Sequence, residues 1–181
     1  MPSIEEIKNK VIKCTNCELC ETRTNAVPGK GNVNSKVIFV GEAPGRSEDK
    51  NGEPFVGAAG KKLTAALESA GISRDDIYIT NVVKCRPPNN RVPNTGEREA
   101  CSNYLKSEIE EINPEIICIM GNTAYGSILG GTNITKNRGK VVEHQGNRYF
   151  ITIHPAATIY NQELLDVLKK DMKKIASIIK K

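Results

Sequence analysis

Two sets of residues in this chain have types and spacings suited to chemistry. The first is cysteine: Cys14 and Cys17 are separated by two residues, and Cys85 and Cys101 by fifteen. Four thiolates are enough for one metal centre. Thiolates at all four corners suit either zinc or an iron-sulfur cluster, and spacing does not choose between them. Cys20 repeats the two-residue spacing and reads as a bystander thiol. Cys118 sits inside an apolar run, where a small buried side chain is the simplest reading.

The second set combines Gly41-Glu42-Ala43-Pro44-Gly45, Asn81, and His154-Pro155-Ala156-Ala157. The glycine-rich turn lacks the Lys-Ser/Thr of a P-loop and the third glycine of a dinucleotide fingerprint, which disfavours nucleotide-triphosphate chemistry. His154 is one of two histidines, and the following proline stiffens its loop. His144 has no such context. An amide within an apolar strand, as at Asn81, needs partners whether its role is structural or recognitional. Phe55, in Gly52-Glu53-Pro54-Phe55-Val56-Gly57, suits either core burial or stacking on a base.

Apolar runs of strand length lead into or contain Gly41, Asn81 and His154. They are Lys36–Val40, Ile77–Val83, Ile116–Met120 and Arg148–Ile153, and continuous apolar runs mark strands covered on both faces. Helical patterns separate most of them. Leu63, Leu67 and Ala70 share one face before Gly71; Asn94 and Glu97 cap a segment carrying Tyr104, Leu105, Ile109 and Ile112. A last helix carries Leu164, Leu168, Met172, Ile175 and Ile179 on one stripe, with lysines forming its solvated face. Ser3 and Glu6 begin an amino-terminal helix that delivers the chain to Cys14. Alternating strands and helices predict an α/β fold with a largely parallel sheet, whose ligands bind in the crevice at the carboxyl ends of the strands.

Composition narrows the setting. With 181 residues and 38% hydrophobic content, one core and a single domain over residues 1–181 are expected. The 26% charged residues, together with the absence of a long apolar run or an export signal, exclude a membrane partner and imply a cytoplasmic location. Six cysteines in a reducing compartment then point away from disulfides. A net charge of +5 permits a polyanionic partner without requiring one. Aromatic content of 4%, with no tryptophan, disfavours a long base-stacking platform.

In combination, Gly41 to Gly45, Thr80-Asn81-Val82-Val83-Lys84-Cys85-Arg86-Pro87-Pro88, His154 to Ala157 and the four cysteines resemble the family 4 uracil-DNA glycosylases, the iron-sulfur branch of archaea and thermophilic bacteria. The resemblance runs nearly the full length. It implies a three-layer α/β/α sandwich with a mainly parallel four-stranded sheet. It also implies a [4Fe-4S] cluster held by Cys14, Cys17, Cys85 and Cys101, and uracil-containing DNA, single- or double-stranded, as the partner of a monomer. The activity implied is excision of uracil left by cytosine deamination. By this resemblance Phe55 stacks on the flipped base, Asn81 reads its O4 and N3 edge, and His154 donates to O2. Gly41, Glu42 and Ala43 line the pocket. Ala43 stands where better-known relatives place a water-positioning Asp, leaving backbone groups or Glu42 to orient water. Arg138 and Lys136, with Thr135, Gly139 and Lys140, resemble a DNA-facing loop, and Tyr160 stands where the family often has an arginine. A nucleic-acid-binding module without catalysis, holding zinc or a cluster, and a glycosylase with another base choice are the alternative readings.

Overall fold

The computed structural model describes residues 1–180. Helix α1 (Ile4–Ile12) starts at Ser3, whose hydroxyl accepts from the Glu6 amide, and buries Ile7 and Val11. A short α2 (Leu19–Thr22) and strand β1 (Lys30–Gly31) lead to β2 (Val37–Gly41). Then follow α3 (Arg46–Asn51), α4 (Ala58–Ser69), β3 (Tyr78–Asn81), α5 (Thr95–Ile112), β4 (Ile116–Met120) and α6 (Asn122–Leu129). The chain closes with α7 (Ile134–Asn137), β5 (Val141–His144), β6 (Asn147–Thr152) and α8 (Gln162–Ile179).

The strands form one sheet in the order β1-β3-β2-β4-β6-β5. Its four central strands are mutually parallel. Successive side chains of β2 and β4 point to opposite faces, and both faces are apolar. Val37, Phe39, Ile116, Cys118 and Met120 pack beneath α4 and α8; Ile38, Val40, Ile117 and Ile119 pack beneath α5 and α6. The result is the expected three-layer α/β/α sandwich. Cys118 is fully buried in it.

The sheet has six strands and not the expected four. Both additions are antiparallel edges. Strand β1 is two exposed residues within a stretch rich in Gly, Asn and Pro, which carries no apolar signal. Strand β5 is almost wholly exposed and hairpins to β6 through Gln145 and Gly146, both at positive φ (49° and 83°). With little to bury, neither strand shows the periodicity that reveals a core strand.

Candidate active site

Parallel strands bring their carboxyl ends to one edge, so β2, β3 and β6 deliver Gly41, Asn81 and His154 to a common crevice. A cavity of about 190 Å³ opens there, lined among others by Glu42, Phe55, Asn81, Asn90 and His154. A larger groove of about 710 Å³ lies against α5 and the β5–β6 turn. Asn81 and His154 line the smaller cavity, and Gly41 packs behind them against the Phe55 ring.

Gly41 and Asn81 are register partners on β2 and β3. A Cβ on Gly41 would stand 2.5 Å from Phe55 Cζ and 2.7 Å from Asn81 Oδ1, so only glycine leaves room for the aromatic ring beside the amide. Asn81 is 1% exposed, and its Oδ1 has no hydrogen-bond partner among the described residues. An unpaired buried acceptor costs about 1–3 kcal/mol, a cost that a ligand donor would offset.

Phe55 has φ = 53°, a left-handed conformation that costs a non-glycine residue roughly 1–3 kcal/mol. Its surroundings enforce it. Arg74 donates from Nη1 to the Phe55 carbonyl at 2.6 Å and from Nη2 to that of Pro54 at 2.8 Å. Glu48 Oε2 accepts from the amides of Val56 (2.9 Å) and Gly57 (2.7 Å), while Oε1 accepts from Gly45 (3.0 Å). One carboxylate thus joins the turn after β2 to the loop that carries Phe55. Gly60 lets α4 approach the Phe55 carbonyl, where any Cβ would collide. Glu48, Arg74 and Gly60 escape sequence reasoning because what they hold at Phe55 is backbone of another segment, although Glu48 also caps its own helix at Gly45 and Arg74 also donates to Thr64 Oγ1.

His154 begins a 3-10 turn over Pro155–Thr158, and its Nδ1 accepts from the Ala156 amide at 3.0 Å. That bond places the ring proton on Nε2, which is left to donate. Burial pushes the imidazole pKa down to about 4, against a smaller upward pull from Glu48, so the ring is neutral at physiological pH. The His154 and Phe55 ring centroids are 5.7 Å apart, tilted by 31°. Glu42 Oε2 accepts from Thr123 Oγ1 at 2.7 Å. Ala43 lines the same cavity. Asn90 and Arg91 add polar groups at its rim that the sequence did not single out.

The residues expected to face DNA differ in their surroundings. Tyr160 is fully exposed just beyond the His154 turn, and Lys136 is exposed on α7. Arg138, expected to be available to phosphates, is partly exposed and is held by the buried Asp171 of α8 at 2.6 and 3.1 Å. Asp171 also accepts from Thr152 Oγ1 at 2.7 Å, two residues before His154. Local sequence does not show this partner, because the carboxylate lies 33 residues away, on a helix whose pattern shows its apolar stripe.

Cys14, Cys17, Cys85 and Cys101 come together around one small cavity between α1, α2, the segment after β3, and α5, with Cys20 on its wall. Among the described residues no cysteine is in a disulfide. N–H groups aim at three of the sulfurs: Arg23 Nη1 at Cys85 (3.3 Å), the Lys84 amide at Cys101 (3.4 Å) and the Asn16 amide at Cys14 (3.4 Å). Among the described residues, no three ligating groups close tightly enough to share a single metal ion. N–H donors aimed at sulfur are what a thiolate ligand has around it, so this set of thiols suits a thiolate-held metal centre.

Fold and crevice place this chain in a known class, and sequence comparison agrees. Residues 28–178 match the Uracil DNA glycosylase superfamily, to which the chain belongs. Several of its relatives there are type-4 enzymes, and others are type-5. The chain is 50% identical to a type-4 uracil-DNA glycosylase of Sulfurisphaera tokodaii, over 98% of this chain and 86% of that one. It is 46% identical to the type-4 enzymes of Archaeoglobus fulgidus (98% and 94% covered) and Thermotoga maritima (98% and 95%).

Proposed function

We propose that this protein, working as a one-domain monomer, removes uracil from DNA by hydrolysing its N-glycosidic bond. The observation that carries the reading is the buried Asn81 amide, with an unpartnered Oδ1, set beside the Phe55 ring and a neutral His154. A flipped uracil in this cavity stacks on Phe55. Its N3–H donates to Asn81 Oδ1, and its O4 accepts from Asn81 Nδ2. As the C1′–N1 bond breaks, its electron pair passes into the base and charge grows on O2. The Nε2–H of His154 donates there, and a donor aimed at developing charge contributes more to rate than to binding. Water adds its oxygen to C1′; one of its protons stays on the new C1′ hydroxyl and the other neutralises the uracil anion, so free uracil departs and an abasic site remains in the strand. Glu42 and Asn90 are the polar side chains of the cavity left to hold that water.

The donor chemistry of the cysteine cavity supports a [4Fe-4S] cluster on Cys14, Cys17, Cys85 and Cys101, with Cys20 left aside. When bound, the cluster supplies a cross-link between the amino-terminal segment and α5. On the DNA side, Tyr160 and Lys136 face the duplex, while Arg138 supports the loop from behind. Free thiols suit a reducing cytoplasm, and no helix among the described residues is long and apolar enough to cross a membrane.

The test is incubation of the purified protein with matched oligonucleotides bearing uracil, thymine, hypoxanthine or cytosine, followed by alkaline cleavage. Strand scission with uracil alone is expected. Scission at another base would reassign the specificity, and none at any base would reduce the protein to a binding module.

A further inference from the structure

Lys84 is 1% exposed, as is its partner Glu108. Its ammonium donates to Glu108 Oε1 (2.5 Å), Thr80 Oγ1 (2.5 Å) and the backbone carbonyl of Asn81 (2.7 Å). Thr80 and Tyr78 donate in turn to Glu108. A buried ion pair adds little stability over apolar residues of equal volume, because desolvation offsets the Coulombic gain. Filling space therefore does not explain a charge here. What an apolar pair would not reproduce is the hold on the Asn81 carbonyl.

The same residue reaches the cysteines. Lys84 lines their cavity, its amide donates to Cys101 Sγ at 3.4 Å, and Cys85 is its chain neighbour. Residues 81 to 85 thus join the base-facing amide to two of the four thiols through one side chain and one backbone N–H.

We propose that Lys84 is a positioning residue that couples the cysteine-bound centre to Asn81, so that each site alters the free energy of binding at the other. This rests on the reading of Asn81 as the residue that reads uracil. Coupling of this kind is reciprocal: what strengthens base binding must also tighten the centre.

The experiment uses the iron-loaded protein and a Lys84→Met/Glu108→Leu variant, which removes both charges at similar volume. Melting temperature is expected to fall, because the buried Tyr78 and Thr80 hydroxyls lose their acceptor, while visible absorbance stays near that of the unmutated protein. Single-turnover excision should slow by roughly 5- to 150-fold, the usual range of coupling, while affinity for an abasic-site oligonucleotide holds. Independently of activity, free uracil should slow iron release to a chelator from the unmutated protein and have no such effect on the variant. If the double variant loses its colour, Thr80→Val removes one partner of the ammonium and should show both effects in weaker form.

A coloured variant with unmutated excision rate and unmutated response of iron release to uracil overturns the coupling alone. Unmutated protein that leaves uracil in DNA overturns the activity from which the coupling was argued.

Discussion

His154 has one nitrogen occupied and one free. Nδ1 accepts from Ala156 and so fixes the turn; Nε2 carries the ring proton, which in the proposed reaction faces the base. Replacing it with Ala is expected to lower single-turnover excision by about 100- to 1,000-fold, with affinity for an abasic product nearly unchanged. Acid acts on the same atom pair. Protonation at Nδ1 sets two donors against each other and undoes the turn, and burial delays it to about pH 4. The acid limb of the excision rate should therefore fall near pH 4 and not near 6.5, the ordinary histidine value. The stability contribution has a matching sign: an unfolded chain takes up this proton near pH 6.5 while the folded one resists. Stability is thus fully present above pH 6.5 and is lost as pH falls through about 4. Melting curves of His154→Ala against pH should lack that component. At Asn81 the expectation is chemical selectivity. Asn81→Asp removes the donor to O4 and should slow uracil excision by roughly 5- to 150-fold, the worth of one mispaired buried group at 1–3 kcal/mol. A folded Asn81→Asp protein that excises uracil at the unmutated rate would refute base reading by this strand end.

At the scale of elements, the pocket is made by loops that do not hold their own shape. The strained Phe55 loop and the turn after β2 meet on Glu48, which accepts three backbone N–H bonds. Glu48→Ala frees all three donors, and a part-buried set of charge-assisted bonds is worth about 2 kcal/mol or more. For a chain of this size that corresponds to a fall of roughly 4–8 °C in melting temperature. Excision should fall further than stability alone explains, because Phe55 would relax out of its left-handed conformation and off the base. Differential scanning calorimetry paired with single-turnover kinetics separates the two effects.

Over the whole molecule, the cysteines join segments that the sheet does not. Cys14 and Cys17 lie on the amino-terminal segment, whose small core of Ile7, Val11, Leu19 and Ala26 packs on Cys85. A cross-link from there to Cys85 and Cys101 closes a long loop, worth about 4 kcal/mol by analogy with a disulfide of that span. Cys101→Ser is expected to remove the visible absorbance and lower the melting temperature by roughly 8–16 °C. Unchanged colour and melting would exclude this ligand set.

Read by itself, the sequence specified whatever depends on local pattern. Four continuous apolar runs identify the four parallel strands, because a strand buried on both faces has no polar positions to interrupt it. Asn94 and Glu97 form the capping box that starts α5, since capping partners lie within one turn. Strand ends are where a parallel sheet presents its ligands, so Gly41, Asn81 and His154 could be named before their positions in space were known. Tertiary structure alone decided the rest. The edge strands β1 and β5 bury almost nothing and leave no periodic trace. The engagement of Arg138 by Asp171, the Glu48 bridge, and the Lys84–Glu108 pair join residues or backbone atoms from separate elements. Residue type along the chain records burial and turn geometry, but a buried charge's partner is chosen by how helices and loops pack around the sheet, and that choice is made only when the chain has folded.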